Sequence, residues 1–228
     1  MMSNHRYIPN LFIYGSPIER RENTKFLGVF IDEKLCWKSH SHFIISKLSR
    51  TIGIIRKLNE NLTFSSLKTL YYSFIQPSLQ YGIIFWYSVS SDIREKIFRL
   101  QKKAIRLINK TTFFSHTNPL FCKNKILKLI DLHKLESAKF IFHEVKLCNN
   151  FNLNSHSNIH SYQTRFNQNL IPRNFRTRVG LNFILVSGVH IYNSLYDDLK
   201  TLDSIGKFKC CLKLDLIFEY SQISDALL

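Results

Sequence analysis

Residues 91–110 read Ser91-Asp92-Ile93-Arg94-Glu95-Lys96-Ile97-Phe98-Arg99-Leu100-Gln101-Lys102-Lys103-Ala104-Ile105-Arg106-Leu107-Ile108-Asn109-Lys110. Ile93, Ile97, Leu100, Ala104, Leu107 and Ile108 recur at three- and four-residue intervals, which predicts an amphipathic helix capped near Ser90 or Ser91. From Arg94 to Lys110 the charged residues are basic, Arg94, Lys96, Arg99, Lys102, Lys103, Arg106 and Lys110, with Glu95 the single acid among them. Most charge runs are simply solvated faces. Cations without interspersed acids also suit contact with a phosphate backbone.

The same helical spacing continues on both sides. Upstream, Ile44, Ile45, Leu48, Ile52, Ile55 and Leu58 predict a helix capped by Ser39. A second helix starts near Ser65 or Ser66, carries Leu67, Leu70, Tyr71, Phe74 and Ile75, and is expected to kink or restart at Pro77. Leu79 to Tyr87 is apolar nearly all round and reads as the centre of the core. Downstream, Asn118-Pro119 opens a short helix, and Asp131 is placed to cap a longer one through Leu132, Leu135, Ala138, Ile141, Phe142 and Val145 to about Cys148. Further helical segments are expected from Leu181 to Leu199 and from about Ser204 to Phe218. Ahead of all these, Leu11 to Tyr14, a Gly15-Ser16-Pro17 turn and Phe26 to Ile31 read as short strands.

Composition narrows the function. The 228 residues are 45% hydrophobic, enough to bury a core, and 32 Lys and Arg against 16 Asp and Glu leave a formal charge of +16. Such an excess favours a polyanionic partner, nucleic acid first. A second basic zone lies between Glu144 and Asp197, where Arg165, Arg173, Arg176 and Arg178 gather around Pro172 without an intervening acid. Arginine with no carboxylate nearby suits bidentate phosphate contact. No apolar run approaches the ~20 residues of a membrane span, and the start lacks a secretory signal, so an intracellular location is expected. The five cysteines are scattered, which argues against a disulfide framework. Cys36 with His40 and His42 is the cluster most worth testing for metal, although Trp37 beside it suggests a packing corner. No Ser, His and Asp arrangement stands out for nucleophilic catalysis.

Several segments, in order, resemble one family. Lys25-Phe26-Leu27-Gly28-Val29 with Asp32, Leu35, Trp37 and His40 is similar to the end of the palm in reverse transcriptases of non-LTR retrotransposons of the LINE type, Jockey-like members in particular. Leu70-Tyr71-Tyr72-Ser73-Phe74-Ile75-Gln76-Pro77-Ser78-Leu79-Gln80-Tyr81-Gly82 with Trp86 resembles the thumb, and Leu100-Gln101-Lys102-Lys103-Ala104-Ile105-Arg106 the helix after it. His116-Thr117, Pro119-Leu120-Phe121, Ile126-Leu127-Lys128-Leu129, His160-Ser161, Thr164-Arg165 and Tyr192-Asn193-Ser194-Leu195 resemble the region downstream. Tyr192 and Tyr196 stand where the family usually has Trp and Pro.

The resemblance implies a mainly α-helical protein with four parts. These are an end-of-palm β element over residues 1–36, a thumb-like helical domain over 37–148, an Asn-rich linker and basic loop over 149–180, and a smaller C-terminal helical region over 181–228. Lys25, Phe26, Leu27 and Gly28 would form a primer-grip-like turn. That turn, the helix cations Arg94, Arg99, Lys102, Lys103, Arg106 and Lys110, and the later Arg165, Arg173, Arg176 and Arg178 would hold the backbone of RNA or an RNA/DNA duplex. Trp37, Tyr71, Tyr81 and Trp86 are better explained by core packing than by base stacking. Polymerisation in this family is two-metal chemistry on carboxylates that include an aromatic-Ala-Asp-Asp turn. That turn lies upstream of the matched region, so this chain is expected to lack activity by itself and to hold no cofactor, with Mg²⁺ belonging to the complete polymerase. Tyr196-Asp197-Asp198 lacks the residue between Tyr and Asp of the polymerase signature and reads as an acidic helix end. A palm and fingers segment is the implied protein partner, and a cytoplasmic or nuclear ribonucleoprotein the implied setting. Two alternatives remain: a relic or domesticated helical protein-interaction module, and a part of an active enzyme whose palm comes from a separate chain.

Overall fold

A computed structural model describes residues 11–155 and 169–225. The fold is mostly helical, preceded by two short antiparallel hairpins. In the first, β1 (Phe12–Ile13) pairs with β2 (Ser16–Pro17). The turn falls on Tyr14 and Gly15, both at positive φ, one position before the expected Gly15-Ser16-Pro17. In the second, β3 (Asn23–Phe26) pairs with β4 (Val29–Asp32), Phe26 facing Val29. The expected strand Phe26 to Ile31 is therefore broken by a two-residue turn at Leu27 (φ 46°) and Gly28 (φ 82°). Positive φ at both turn residues matches the right-handed twist of the strands, and Gly28 adopts it without a Cβ penalty.

Helix α1 (Lys38–Leu58) starts without help from Ser39, whose hydroxyl bonds the Asn23 side chain at 2.8 Å. Asp32 organises the entry instead. Its carboxylate accepts from the Cys36 thiol at 2.7 Å, the Cys36 N–H at 2.9 Å and the Trp37 N–H at 2.7 Å. Helix α2 (Phe64–Leu70) is capped by Thr63, which accepts from the Ser66 N–H at 3.3 Å. Pro77 lacks a donor and would leave the turn before it mispaired. The backbone absorbs this in a π-helical turn over Tyr71–Ile75, and α3 (Gln76–Gln80) carries on with Pro77 in its first turn. Gly82 (φ 63°) ends that run before α4 (Ile83–Trp86). Leu79, Ile83 and Trp86 are fully buried as expected, whereas Tyr81 and Phe85 reach solvent, so this segment is core on one side only.

Helix α5 (Ser91–Ile108) buries Ile97, Gln101, Ala104, Ile105 and Ile108. This stripe lies slightly rotated from the expected one, because Gln101 and Ile105 turn inward while Leu100 and Leu107 are half-exposed. The inward amide has a reason. Gln101 Nε2 donates to the Tyr71 hydroxyl and to the Leu127 carbonyl, both at 2.9 Å, within a fully buried site. Burial raises the Tyr71 phenol well above its ordinary pKa and keeps it neutral.

Helices α6 (Asn118–Asn124) and α7 (Leu129–His143) follow, α7 passing into a π-helical turn over Glu144–Cys148. Asp131 is not the cap of α7. It sits buried inside the first turn and accepts from the Tyr220 hydroxyl at 2.6 Å. Tyr220 belongs to α11 (Ile205–Asp225), which lies against α6 and α7. Between them run α8 (Arg178–Leu181), α9 (Ile184–Asn193) and α10 (Asp197–Lys200). α9 lies close against α7 at Gly188, where a Cβ would come within 2.8 Å of Ile184 Cδ1 and 3.1 Å of Ile141 Cγ1. Leu185, Val189, Phe208 and Leu212 join the same buried cluster as Ile44, Tyr71, Ile105 and Phe142.

Gln101→Leu is expected to lower unfolding free energy by roughly 2 kcal/mol in urea titrations. Two buried groups lose their donor, and removal of the unpartnered Gln101 Oε1 offsets part of the loss. In a Tyr71→Phe background the same change should cost markedly less, and equal costs in both backgrounds would show that the pair is not coupled.

Candidate nucleic-acid interface

With Gln101 and Ile105 turned into the core, helix geometry places Arg99, Lys102, Lys103 and Arg106 away from the core on α5, and Lys110 follows in the left-handed turn just beyond the helix. Lys96, Arg99, Lys102, Lys103 and Arg106 border an open groove of about 640 Å³ whose floor includes Ile45 and Ser49 of α1 and Leu100 of α5. Among the described residues, the ion pair made within this set is Arg99 to Glu95, at 3.2 Å on the exposed surface, a contact worth little in water.

Two of these cations are supported by aromatic rings. Lys102 Nζ lies 4.2 Å from the centroid of Phe98, and the Arg106 guanidinium lies 5.7 Å from that of Phe113. Arg106 Nε also donates to the Ser115 carbonyl at 2.9 Å, tying the loop after α5 back onto the helix. That loop lines the groove with Phe113 and Phe114, 69% and 88% exposed. Neither has helical or strand periodicity in the sequence, and adjacent phenylalanines in a polar loop are the one signal the sequence offers for them.

Arg94 has a different setting. Its guanidinium lies 5.0 Å from the Tyr87 ring, and Tyr87 stacks on His133 at 4.1 Å. The hairpin residues form another separate place. Lys25 Nζ sits 5.7 Å from the Phe30 ring, while Phe26 and Leu27 are exposed at the tip. The Tyr81 hydroxyl, just past α3, donates to the Leu27 carbonyl and ties this turn to the helical part of the chain. Of the later arginines, Arg173 donates to the Phe151 carbonyl at 3.1 Å and Arg176 is exposed. Arg178 opens α8, and Arg165, like His160, Ser161 and Thr164, lies outside the described residues.

Acidic and metal-type groups serve other ends. Burial alone would raise the Asp32 carboxyl, but hydrogen bonds from the Cys36 thiol and from the Cys36 and Trp37 N–H groups outweigh it and hold the pKa low. Cys36, His40 and His42 do not converge: the thiol bonds Asp32, buried His40 accepts from the Phe30 N–H at 3.4 Å, and His42 is exposed. His143, Glu144 and Cys148 do cluster, their donor atoms within 4.8 Å of one another. A thiolate and an imidazole suit softer metals than Mg²⁺. Asp197 and Asp198 are exposed at the start of α10, and Asp197 pairs with Lys200 at 3.0 Å. The His143, Glu144 and Cys148 donor set does not fit the paired Mg²⁺ ions of a polymerase, which take oxygen ligands. No described helix is long and apolar enough to cross a membrane.

No protein-family model matches the chain, and no solved structure matches it. Two curated proteins do. The probable RNA-directed DNA polymerase from transposon X-element of Drosophila melanogaster is 24% identical over 135 residues, which are 58% of this chain and 15% of that protein. The RNA-directed DNA polymerase from mobile element jockey of Drosophila funebris is 25% identical over 143 residues, 61% of this chain and 15% of that protein. The chain therefore resembles the reverse transcriptases of mobile elements. Within them, the likeness is to the Jockey-like non-LTR group, and the chain spans about 15% of the length of these relatives.

The Arg94–Tyr87–His133 stack has a pH signature. Burial first, and then the Arg94 charge, push the His133 pKa down to about 4, against ~6.5 in an unfolded chain. As pH falls from about 6.5 to about 4, the unfolded chain takes up a proton that the folded one refuses, so stability is lost across that window, on the order of 3 kcal/mol in full. His133→Phe keeps an aromatic ring beside Tyr87 and should flatten that part of the pH–stability curve, leaving a smaller fall from buried His40, which is lowered by burial too. An unchanged curve in this variant would refute the assignment.

Proposed function

We propose that this chain is the part of a retrotransposon-type RNA-directed DNA polymerase that holds nucleic acid, gripping the backbone of RNA or an RNA/DNA duplex without regard to sequence. The observation that carries this reading is the one-sided basic face of α5, which borders an open groove with Glu95 as its one acidic lining residue. Cations at helical spacing, facing solvent, contact phosphates and not base edges, which yields affinity without a sequence code. The likeness to two RNA-directed DNA polymerases supports the setting. In this reading residues 37–148 act as a thumb, 1–36 as the end of a palm, 149–180 as a linker and basic loop, and 181–228 as a smaller helical part. The exposed Phe26-Leu27 tip forms a primer-grip-like turn.

The reading includes no polymerisation by this chain alone. Asp197 and Asp198 lie exposed in the first turn of α10, where Asp197 pairs with Lys200, and two-metal chemistry needs carboxylates that converge on one site. A palm and fingers segment would be the natural neighbour of the apolar cleft of about 410 Å³ lined by Leu35, Trp37, Phe85, Val179 and Phe183.

Affinity for an RNA/DNA duplex, followed by fluorescence anisotropy, should fall steeply with salt. Neutralising Arg99 and Lys103 as Gln should flatten the slope of log K against log salt by roughly 0.7–0.9 for each phosphate left without its cation, equally for unrelated sequences. Salt-independent binding, or a weakening confined to one sequence, would overturn the proposal.

A further inference from the structure

We infer that Phe113 and Phe114 form a stacking platform for unpaired bases beside the α5 cations, so that the groove takes a single-stranded segment of nucleic acid in preference to a blunt duplex. The inference rests on the nucleic-acid reading above and adds to it the state of the ligand. Two adjacent phenylalanines are held largely in solvent, 69% and 88% exposed, and among the large apolar side chains of the described residues only Tyr14 is more exposed than Phe114. Leaving such rings in water forgoes burial free energy that folding could otherwise gain.

The loop that presents them is ordered. Lys110 at φ 51° ends α5 in the left-handed region and turns the chain back. The Thr111 N–H then donates to the Arg106 carbonyl at 3.1 Å, the Ser115 N–H to the Thr112 carbonyl at 3.2 Å, and Arg106 Nε to the Ser115 carbonyl at 2.9 Å. The Thr112 and Ser115 hydroxyls bond each other at 2.9 Å. The rings meet edge to face, 5.5 Å apart at 88°, which leaves Phe114 open to an incoming planar group. An ordered platform has less entropy to lose on binding than a flexible loop.

Charge selects the kind of planar group. The groove that Phe113 and Phe114 line is rimmed by Lys96, Arg99, Lys102, Lys103 and Arg106. A ligand that offers flat rings and negative charge at short, repeated intervals matches this surface, and a single strand does so because its bases are free to leave the stack. In a duplex the ring faces are covered by neighbouring base pairs, so the same phenylalanines find no partner there. An apolar protein surface would satisfy the rings and leave five cations facing it.

The test uses the full chain and three labelled oligonucleotides of equal length: a single-stranded RNA, the same strand with a run of abasic positions, and a blunt RNA/DNA duplex. Wild-type protein should bind the intact strand roughly tenfold more tightly than the abasic one. Phe113→Ala/Phe114→Ala should close that gap while weakening the duplex, through loss of the ring beside Arg106, far less than the intact strand. Phe114→Trp should preserve the gap, with indole fluorescence quenched by the intact strand and not by the abasic one. Retention of the full gap in the double-alanine variant, or an equal weakening on all three ligands, would overturn the stacking platform. Arg99→Gln/Lys103→Gln separates the two readings. If it weakens none of the three ligands, the backbone grip fails; if it weakens all three while the base-dependent gap is missing, the grip stands and the platform alone fails.

Discussion

One buried side-chain amide sets the geometry on which the rest depends. Gln101 lies at the middle of α5 on its inner face and joins Tyr71 of the π-helical turn to the Leu127 carbonyl ahead of α7. Apolar contacts are non-directional and would tolerate a helix rotated by several tens of degrees, whereas an amide with two buried acceptors does not. The rotation of α5 about its own axis is thereby specified. Because charged residues occupy the opposite face of the same helix, the bond that orients the core also decides which way the cations point. Helix packing and the proposed function are linked through this one residue.

A second buried node carries the same logic to the C-terminal helix. Tyr220 donates to Asp131 and accepts from the Lys128 N–H at 3.1 Å, with Lys128 Nζ 4.0 Å from the centre of its ring. Burial first, then the Asp131 charge beside it, raise the Tyr220 phenol, so the oxygen keeps its proton for the carboxylate. Elsewhere Glu136 pairs with Lys139 at 2.8 Å and accepts from Gln80 at the same distance, and Asp32 receives the entry to α1. These carboxylates are occupied by structural partners. The surface left to meet a ligand along α5 is accordingly more basic than the overall charge suggests, and the positive field there is set as much by where acids are placed as by how many cations the chain has.

The helices are legible because burial repeats at the helical period, and the sharpest of them, α5, is also the most informative. Where sequence and structure part, a local rule meets a longer-range demand. Gln101 belongs to no apolar stripe and is buried by partners 30 and 26 residues away. Asp131 has the composition of a cap but is taken inward by a tyrosine 89 residues later. Ser39 has the chemistry of a cap and is displaced by Asp32, seven residues earlier, whose carboxylate reaches the Cys36 and Trp37 N–H groups first. Of the candidate site, the cations Arg99, Lys102, Lys103 and Arg106 are visible in the sequence and are gathered on one groove. Arg94 shares their basic run and instead stacks on Tyr87. Phe113 and Phe114 stay hidden because a loop has no period to betray which side chains face a ligand.

The sequence by itself determined the helical class, the basic surplus and its concentration over residues 94–110, since each is a property of residue type and spacing along the chain. Tertiary structure alone decided the rotation of α5, the meeting of its cations with Phe113 and Phe114, and the support of the Leu27–Gly28 turn by Tyr81. Periodicity fixes which residues share a face only to within one helical position. What removes that freedom is the directionality of a few buried hydrogen bonds, whose partners are distant in sequence and are brought together only when the core closes.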